Sequence, residues 1–227
     1  MEQVTVVRHP AVADRLARLR DATTPMATFR KALEELGGFL AYEATRSIPT
    51  RPDLVATPLG NAWSSLLGEP PVIAPILRAG LAFVPGFLSV NAEAIVAHLG
   101  FFRDPASLEA VAYYANLPDR LAGIPVFALD PMLATGHSAS AALDVLEAAG
   151  AANVVLVCAI AAPEGVAHLA DRHPTARIVT AALDERLDHH GYIVPGLGDA
   201  GDRMFGSLSS LPVAYRGRPL RNGESKA

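Results

Sequence analysis

From residue 71 onward the chain alternates short, almost wholly apolar runs with stretches of helical periodicity, and this alternation limits its fold more than any other feature. The runs are VIAPIL, AIVAHLGFF, IPVFAL, NVVLVCAIAA and ARIVTAAL. Apolar residues at every position suit strands covered on both faces; a sheet with one wet face would alternate. Between the last three runs lie two amphipathic segments. Ser138–Ala149 carries Ala142, Leu143, Leu146 and Ala149 on one face and stops at Gly150, and Pro163–Arg172 forms the second. Strands alternating with helices predict an α/β fold with a doubly wound, mostly parallel sheet and helices on both faces. In that architecture crossovers are right-handed, and ligands collect beyond the carboxyl ends of the strands.

The earlier part of the chain reads as helical. Val12, Leu16 and Leu19 recur at helical spacing, and Phe29, Leu33, Leu36 and Leu40 do so after Thr24 and Pro25, a cap and first-turn pair. Residues 48–70 are rich in Pro, Gly, Ser and Thr and contain Trp63, the single tryptophan. They read as a loop-rich excursion. The closing RGRPLRNGESKA reads as a solvated tail.

Hydrophobic residues make up 51% of the chain, and mean hydropathy is +0.27. The longest charge-free stretch, Ala148–Pro163, is nevertheless interrupted by Gly150 and Asn153, too short and too broken for a membrane helix. The opening MEQVTVVRHP lacks a long apolar segment, so no signal peptide is expected. Cys158, the only cysteine, lies within an apolar run; no intrachain disulfide is available and the cytoplasm is the default location. A net charge of −4 gives no global electrostatic footprint for nucleic acid. Lys31 and Lys226 are the only lysines, so most cations are arginines, whose planar fork suits phosphate oxygens.

One loop stands out against this frame. In LDPMLATGHSA, residues 129–139, an apolar run ends in Asp130 and passes through small and hydroxylated residues directly into a helix. The first N–H groups of a helix have no internal partner and its dipole favours anions, by about 0.3–1 kcal/mol at exposed sites. Small side chains allow an oxyanion close to the backbone, and Thr135 and Ser138 add hydroxyl donors. From the loop alone two readings stand: a phosphate cradle, or a strand-to-helix turn capped by Thr135 or Ser138. It is neither a Walker loop, since no lysine follows its glycine, nor the three-glycine dinucleotide fingerprint. An acid beside a phosphate cradle points to a sugar phosphate, whose hydroxyls donate to a carboxylate.

Five segments, in order and spacing, resemble motifs of the uracil phosphoribosyltransferase family: APILRAG (74–80), the FFRD around Arg103, DPMLATGHS (130–138), AAPEGV (161–166) and GYIVPGLGDAGDRMFG (191–206). The resemblance covers nearly the whole chain up to about residue 207. It implies a type I phosphoribosyltransferase fold with a small hood and a flexible flap. It also implies one domain over 1–207, with N-terminal helices at 11–47, a core at 71–183, a base-binding hood at 184–207 and a tail at 208–227. By resemblance, Asp130, Pro131, Met132, Leu133, Ala134, Thr135, Gly136, His137 and Ser138 hold the ribose and 5′-phosphate of phosphoribosyl diphosphate. Arg78 and Arg103 bind its diphosphate, and Asp199 contacts the same donor. Uracil is gripped through the backbone at Ile193, Gly198, Asp199 and Ala200.

These assignments agree with elementary chemistry. A departing diphosphate carries charge away from the anomeric carbon, so arginine forks and a chelated Mg²⁺ act where charge accumulates. The cation travels on the donor; no protein metal ligands are expected. Arg103 and Asp199 are the candidate catalytic residues, Asp199 orienting or deprotonating the base. The segment DPASLEAVAYYANLP after Arg103 reads as a mobile flap that excludes water. Uracil's edge alternates carbonyl acceptors with an N–H donor, which peptide groups pair with, and glycines permit the close approach. His189 and His190 read as loop residues rather than metal ligands.

Three positions depart from the family pattern. His137 replaces a usual glycine, either crowding the phosphate or donating to it; Pro85 replaces a usual aspartate; and Asn116 replaces a usual lysine, removing one cation from the flap. The expected reaction joins uracil to phosphoribose, giving UMP and diphosphate, with a different nucleobase or a nucleotide-sensing RNA-binding regulator on the same fold as alternatives. Expected partners are the two small substrates and further copies of the chain, through the apolar N-terminal helices, with no nucleic acid and no membrane. An allosteric nucleotide is left open.

Overall fold

A computed structural model describes residues 3–103 and 110–206, with the backbone alone at 102, 103 and 110. The tail at 208–227 and the flap tip at 104–109 lie outside the described residues. In chain order the elements are β1 (Val4–Val6), α1 (Pro10–Arg20), α2 (Met26–Ala44), β2 (Thr50–Thr57), β3 (Gly60–Leu67) and β4 (Val72–Leu77). A short 3-10 turn, Ala79–Phe83, leads into α3 (Val84–Val90), β5 (Ile95–Val96), β6 (Leu99–Arg103), β7 (Ala110–Ala115), β8 (Val126–Leu129) and β9 (Met132–Leu133). Then come α4 (His137–Ala148), β10 (Val155–Ala161), α5 (Pro163–Arg172), β11 (Arg177–Leu183), β12 (Arg186–Leu187), β13 (Ile193–Val194) and α6 (Ala200–Phe205).

The main sheet runs β1-β11-β10-β8-β4-β6-β7, with β5 beside β4 and β9 beside β10. Every pairing in it is parallel except β6 with β7. The doubly wound, mostly parallel expectation is met, and its cause is visible in the side chains. Phe127 and Leu129 of β8, with Val155, Val157 and Ala159 of β10, enter one core beside α1, α2, Phe83 and Phe87. Their neighbours Val126, Ala128, Leu156 and Cys158 enter a second core against Ala139, Ala142, Leu143 and Leu146 of α4 and Leu169 of α5. Strand side chains alternate faces, so an unbroken apolar run feeds two cores at once. Each fully buried Leu, Val or Phe is worth about 1.5–3 kcal/mol relative to exposure. Between α4 and the end of α5, the buried His173 ring lies 2.9 Å from Ser140 Oγ and 3.1 Å from Glu147 Oε1, tying the two helices together.

Three expectations are corrected. Residues 50–67 form an antiparallel hairpin, registered from Thr50 against Leu67 to Thr57 against Gly60, rather than a loop. The Pro, Gly, Ser and Thr there mark its turn and its edges; Thr57 Oγ1 donates to the Gly60 carbonyl at 2.8 Å across the bend. AIVAHLGFF is two strands. β5 pairs with the start of β4 (Val72 against Ile95) and β6 with its end (Ile76 against Leu99). Pro25 itself stands at the N-cap of α2, while the Thr24 hydroxyl donates back to the Arg18 carbonyl at 2.7 Å instead of capping. Val12, Leu19, Phe29, Leu33, Leu36 and Leu40 are buried in the core beside the sheet, while Met26, Phe39 and Tyr42 of α2 stay exposed.

Candidate active site

Three adjacent parallel strands, β8, β4 and β6, end on the same edge of the sheet and carry Asp130, Arg78 and Arg103 just after or at their carboxyl ends. After β4 the chain moves outward through β6 and β7; it then returns to the other flank of β4 as β8 and continues to β10 and β11. The crevice between β4 and β8 is therefore a topological switch point, where open α/β sheets bind ligands. The backbone of Arg103 closes β6 opposite Ala110, and its side chain lies outside the described residues.

The cradle is pinned before it is open. The Pro131 carbonyl accepts from the Ala159 and Ile160 amides at 2.9 and 3.2 Å, and the Leu133 carbonyl accepts from Ala162 at 2.8 Å. Past that anchor the loop turns at Gly136, the N-cap of α4, with φ of 84° and no side-chain cap. Neither Thr135 nor Ser138 caps the helix: Gly136 itself makes the strand-to-helix turn. The first turn of α4 keeps its amide donors facing a loop of small residues. Asp130 accepts from the Met132 amide at 3.3 Å. Burial pushes its carboxyl up to about 7, more than that hydrogen bond lowers it.

Two glycines set the spacing around the crevice. A Cβ on Gly80 would lie 2.2 Å from the Leu129 carbonyl oxygen, and one on Gly165 would lie 2.3 Å from that of Ala134. The first lets the turn bearing Arg78 touch the strand end bearing Asp130; the second lets α5 close against the cradle. Sequence reading quoted both glycines in APILRAG and AAPEGV without giving them a role. It also passed over Glu164, whose Oε1 accepts from the Leu187 amide at 2.9 Å and so ties α5 to β12.

β12, β13 and α6 make up the segment expected as the hood, with Leu187 opposite Ile193. Hood and cradle meet where Thr135 Cγ2 lies 3.8 Å from the place a Cβ would take on Gly191. Arg78 is exposed, and its guanidinium sits over the Phe205 ring of α6, 5.8 Å from the centroid. In the candidate base segment Ile193 and Ala200 are buried, while Gly198 and Asp199 are exposed. Asp199 is the N-cap of α6. The Leu77–Arg78 and Val194–Pro195 peptide bonds are cis. His189 and His190 are exposed on a turn held by Asp188, which accepts from the His190 and Tyr192 amides at 2.9 and 2.8 Å.

The departing residues find ordinary places. The His137 ring packs against His168 of α5, centroids 4.9 Å apart, which draws it onto the helix. Burial, and then the neighbouring His137 and Arg172, hold His168 below its ordinary value. Pro85 fits the first turn of α3, where a missing N–H costs little. Asn116 is exposed, and its backbone amide donates to the His98 carbonyl at 3.1 Å. A cavity of about 440 Å³ lined by Ser47, Asn153, Thr175 and Arg177 opens at the amino-terminal ends of β8, β10 and β11, on the edge of the sheet opposite the candidate site.

The chain was compared with known proteins. The family model described as uracil phosphoribosyltransferase matches residues 6–207. A uracil phosphoribosyltransferase of Dictyoglomus turgidum is 48% identical over 205 residues, covering 90% of this chain and 99% of that protein. One from Thermus thermophilus is 48% identical over 206 residues, with 90% and 99% covered. Among solved structures, the AQ2163 protein of Aquifex aeolicus superposes with a TM-score of 0.85 at 40% identity, covering 89% of this chain and 98% of that one. Adenine phosphoribosyltransferase from Leishmania donovani, 14% identical with a TM-score of 0.56 and 81% and 85% covered, shares the fold alone. The architecture is thus that of the type I phosphoribosyltransferases, and the chain belongs to the uracil phosphoribosyltransferase family.

Proposed function

We propose that this chain transfers the phosphoribosyl group of 5-phospho-α-D-ribose 1-diphosphate to N1 of uracil, giving UMP and diphosphate. The observation that carries the reading is the switch point: Asp130 and Arg78 end adjacent parallel strands beside an uncapped helix N-terminus. Support comes from a chain-long likeness to proteins named for that reaction.

In this reading residues 130–138 hold the ribose and 5′-phosphate, with Asp130 accepting from ribose hydroxyls and the first amides of α4 facing the phosphate. Arg78 and Arg103 take the diphosphate. Among the described residues Arg78 has no carboxylate in ion-pairing distance, which leaves its fork for substrate oxygens. Ile193, Gly198, Asp199 and Ala200 read the base through their peptide groups. The bond from the anomeric carbon to the diphosphate oxygen breaks, a bond to N1 forms, and the N1 proton passes to Asp199 or to solvent. The chain's contribution is positioning and electrostatic stabilisation.

Mg²⁺ is the implied cation. Among the described residues the cluster able to offer three ligands, Asp144, Glu147 and His173, stands on the later turns of α4 and at the end of α5, not at the strand ends. The donor set of the crevice, one half-buried acid among arginines and amides, fits a cation carried by the substrate's own diphosphate. When bound, it draws charge from the departing group.

The rest of the reading is a cytoplasmic homo-oligomer, with residues 1–207 acting as one domain and 184–207 as its hood. No helix among the described residues is long and apolar enough to cross a membrane. The hairpin β2–β3 leaves Leu54, Leu59, Trp63, Leu66 and Leu67 between 39% and 101% exposed, a surface suited to a second copy of the chain.

The deciding experiment is UMP formation by the purified protein from uracil, donor and Mg²⁺, with adenine, hypoxanthine and RNA retention as separate arms. UMP made at uracil concentrations where the purines give no nucleotide supports the reading; a purine product, or RNA binding without turnover, overturns it.

A further inference from the structure

Helix α1 packs against α2 and β11, and no role at the site has been given to it. Its last residue, Arg20, nevertheless reaches the hood. Nη1 donates to Asp184 Oδ2 at 2.9 Å and to the Gly196 carbonyl at 2.8 Å, while Nη2 donates to Asp184 Oδ1. Asp184 ends β11 with its side chain 2% exposed, and Oδ2 also accepts from the Gly196 amide at 3.0 Å. Both peptide groups of Gly196 are thus fixed by one buried ion pair.

A second arginine runs the opposite way. Arg203 of α6 donates through Nη1 to the carbonyls of Leu197, at 2.7 Å, and Leu19, and through Nη2 to that of Asp21 at 2.6 Å. Its guanidinium stacks on Phe29, 4.2 Å from the ring centroid. Leu19 and Asp21 lie at the C-terminal end of α1, where carbonyls lack helical partners and a cation is favoured. The result is a reciprocal clamp: α1 sends an arginine into the hood, and the hood sends one back to α1.

The two carbonyls so held, Gly196 and Leu197, immediately precede Gly198–Ala200. A segment that reads a base through peptide groups has no rotamer to adjust, so its precision is that of the backbone. We infer that Arg20, Asp184 and Arg203 are positioning residues that hold the 198–200 peptides in register for the base, and thereby govern base affinity without touching the donor site. The inference rests on the base-reading role proposed above for that segment.

The test uses Arg20→Lys, which keeps the charge but loses the two-pronged grip, and Asp184→Asn, which keeps the shape. Each should raise the uracil KM about 10-fold, as expected when one charge-assisted contact is loosened, and lower kcat by no more than that factor because Asp199 rides on the same segment, with donor KM within about 2-fold. Amide hydrogen exchange over 193–200 should quicken about 10-fold while β8 and β10 keep their protection. A uracil KM within 2-fold of the parent, or a donor KM that rises by the same factor, overturns the inference. If the parent protein makes no UMP, it is the proposed reaction that fails; the exchange measurement needs no substrate and still decides the clamp, unchanged protection overturning it. Should Asp184→Asn not fold, Arg20→Lys carries both measurements.

Discussion

Asp199 Oδ1 accepts a 2.8 Å hydrogen bond from the Asp202 amide, so the carboxylate proposed to sit beside the base is also the cap of α6. The two duties separate by substitution. Asn keeps the capping acceptor and loses the charge, whereas Ala loses both and costs about 1 kcal/mol of cap energy. Asp199→Asn should therefore lower kcat by about 100-fold or more with Tm unchanged, the usual value of a general acid–base step. Asp199→Ala should lower kcat and Tm together. Steady-state kinetics beside thermal melts read the difference; full turnover in the Asn variant would show the charge to be dispensable.

Gly80→Ala forces a methyl into the Leu129 carbonyl, and neither backbone can withdraw without moving Arg78 or Asp130. Overpacking of this kind costs about 1–3 kcal/mol. The donor KM should rise as the strand ends separate, while the uracil KM, set in the hood, follows less. A variant with parental Tm and donor KM would show the contact to be slack.

For Asp130 the sign of the pH dependence follows from a pKa raised to about 7. A raised carboxyl holds its proton more tightly in the folded state. Its stability contribution is full below about pH 4, falls as pH rises towards 7, and is gone above. Asp130→Asn escapes that loss, so its stability relative to the parent should improve by about 1–3 kcal/mol between pH 5 and pH 8 in urea titrations. Donor kcat/KM should rise through about pH 7 in the parent as the carboxylate forms, and Asn should lack that limb. A pH-independent stability difference would place the carboxyl in water.

Arg78→Ala and Arg103→Ala should each raise the donor KM roughly 10–100-fold, the value of a charge-assisted contact, with melting little changed. Calorimetric titration with diphosphate checks this without turnover. Parental affinity in either variant removes that arginine from the diphosphate site.

Trp63→Ser with Leu59→Ser should shift sedimentation towards the monomer, since both side chains stand largely in solvent, 77% and 101% exposed. Unchanged sedimentation would place the subunit contact elsewhere.

What was legible in the chain tracks how local the cause is. The sheet was legible because runs such as VLVCAIA are buried along their full length, and α5 was found to the residue because Pro163 and Arg172 bracket it. The step from β8 into α4 was legible because an apolar run, a few small residues and a helical period follow one another directly. The hairpin at 50–67 was not, since its strands face solvent along nearly their whole length and no buried face marks them as strands. Nor was the split of AIVAHLGFF, decided by where β4 ends, or Glu164, whose partner Leu187 is 23 residues away. Arg20 and Asp184 are 164 residues apart, and nothing in either neighbourhood announces the other.

The two-sided sheet also sets the molecule's tolerance to insertion. One extra residue within β10, after Val155, would turn Leu156 and Cys158 towards α2 and send Val157 and Ala159 against α4, exchanging the contents of both cores in a single step. Two extra residues would restore the facing. Length changes inside β10 should accordingly be lost in odd steps, whereas the loop between Gly150 and β10 absorbs them.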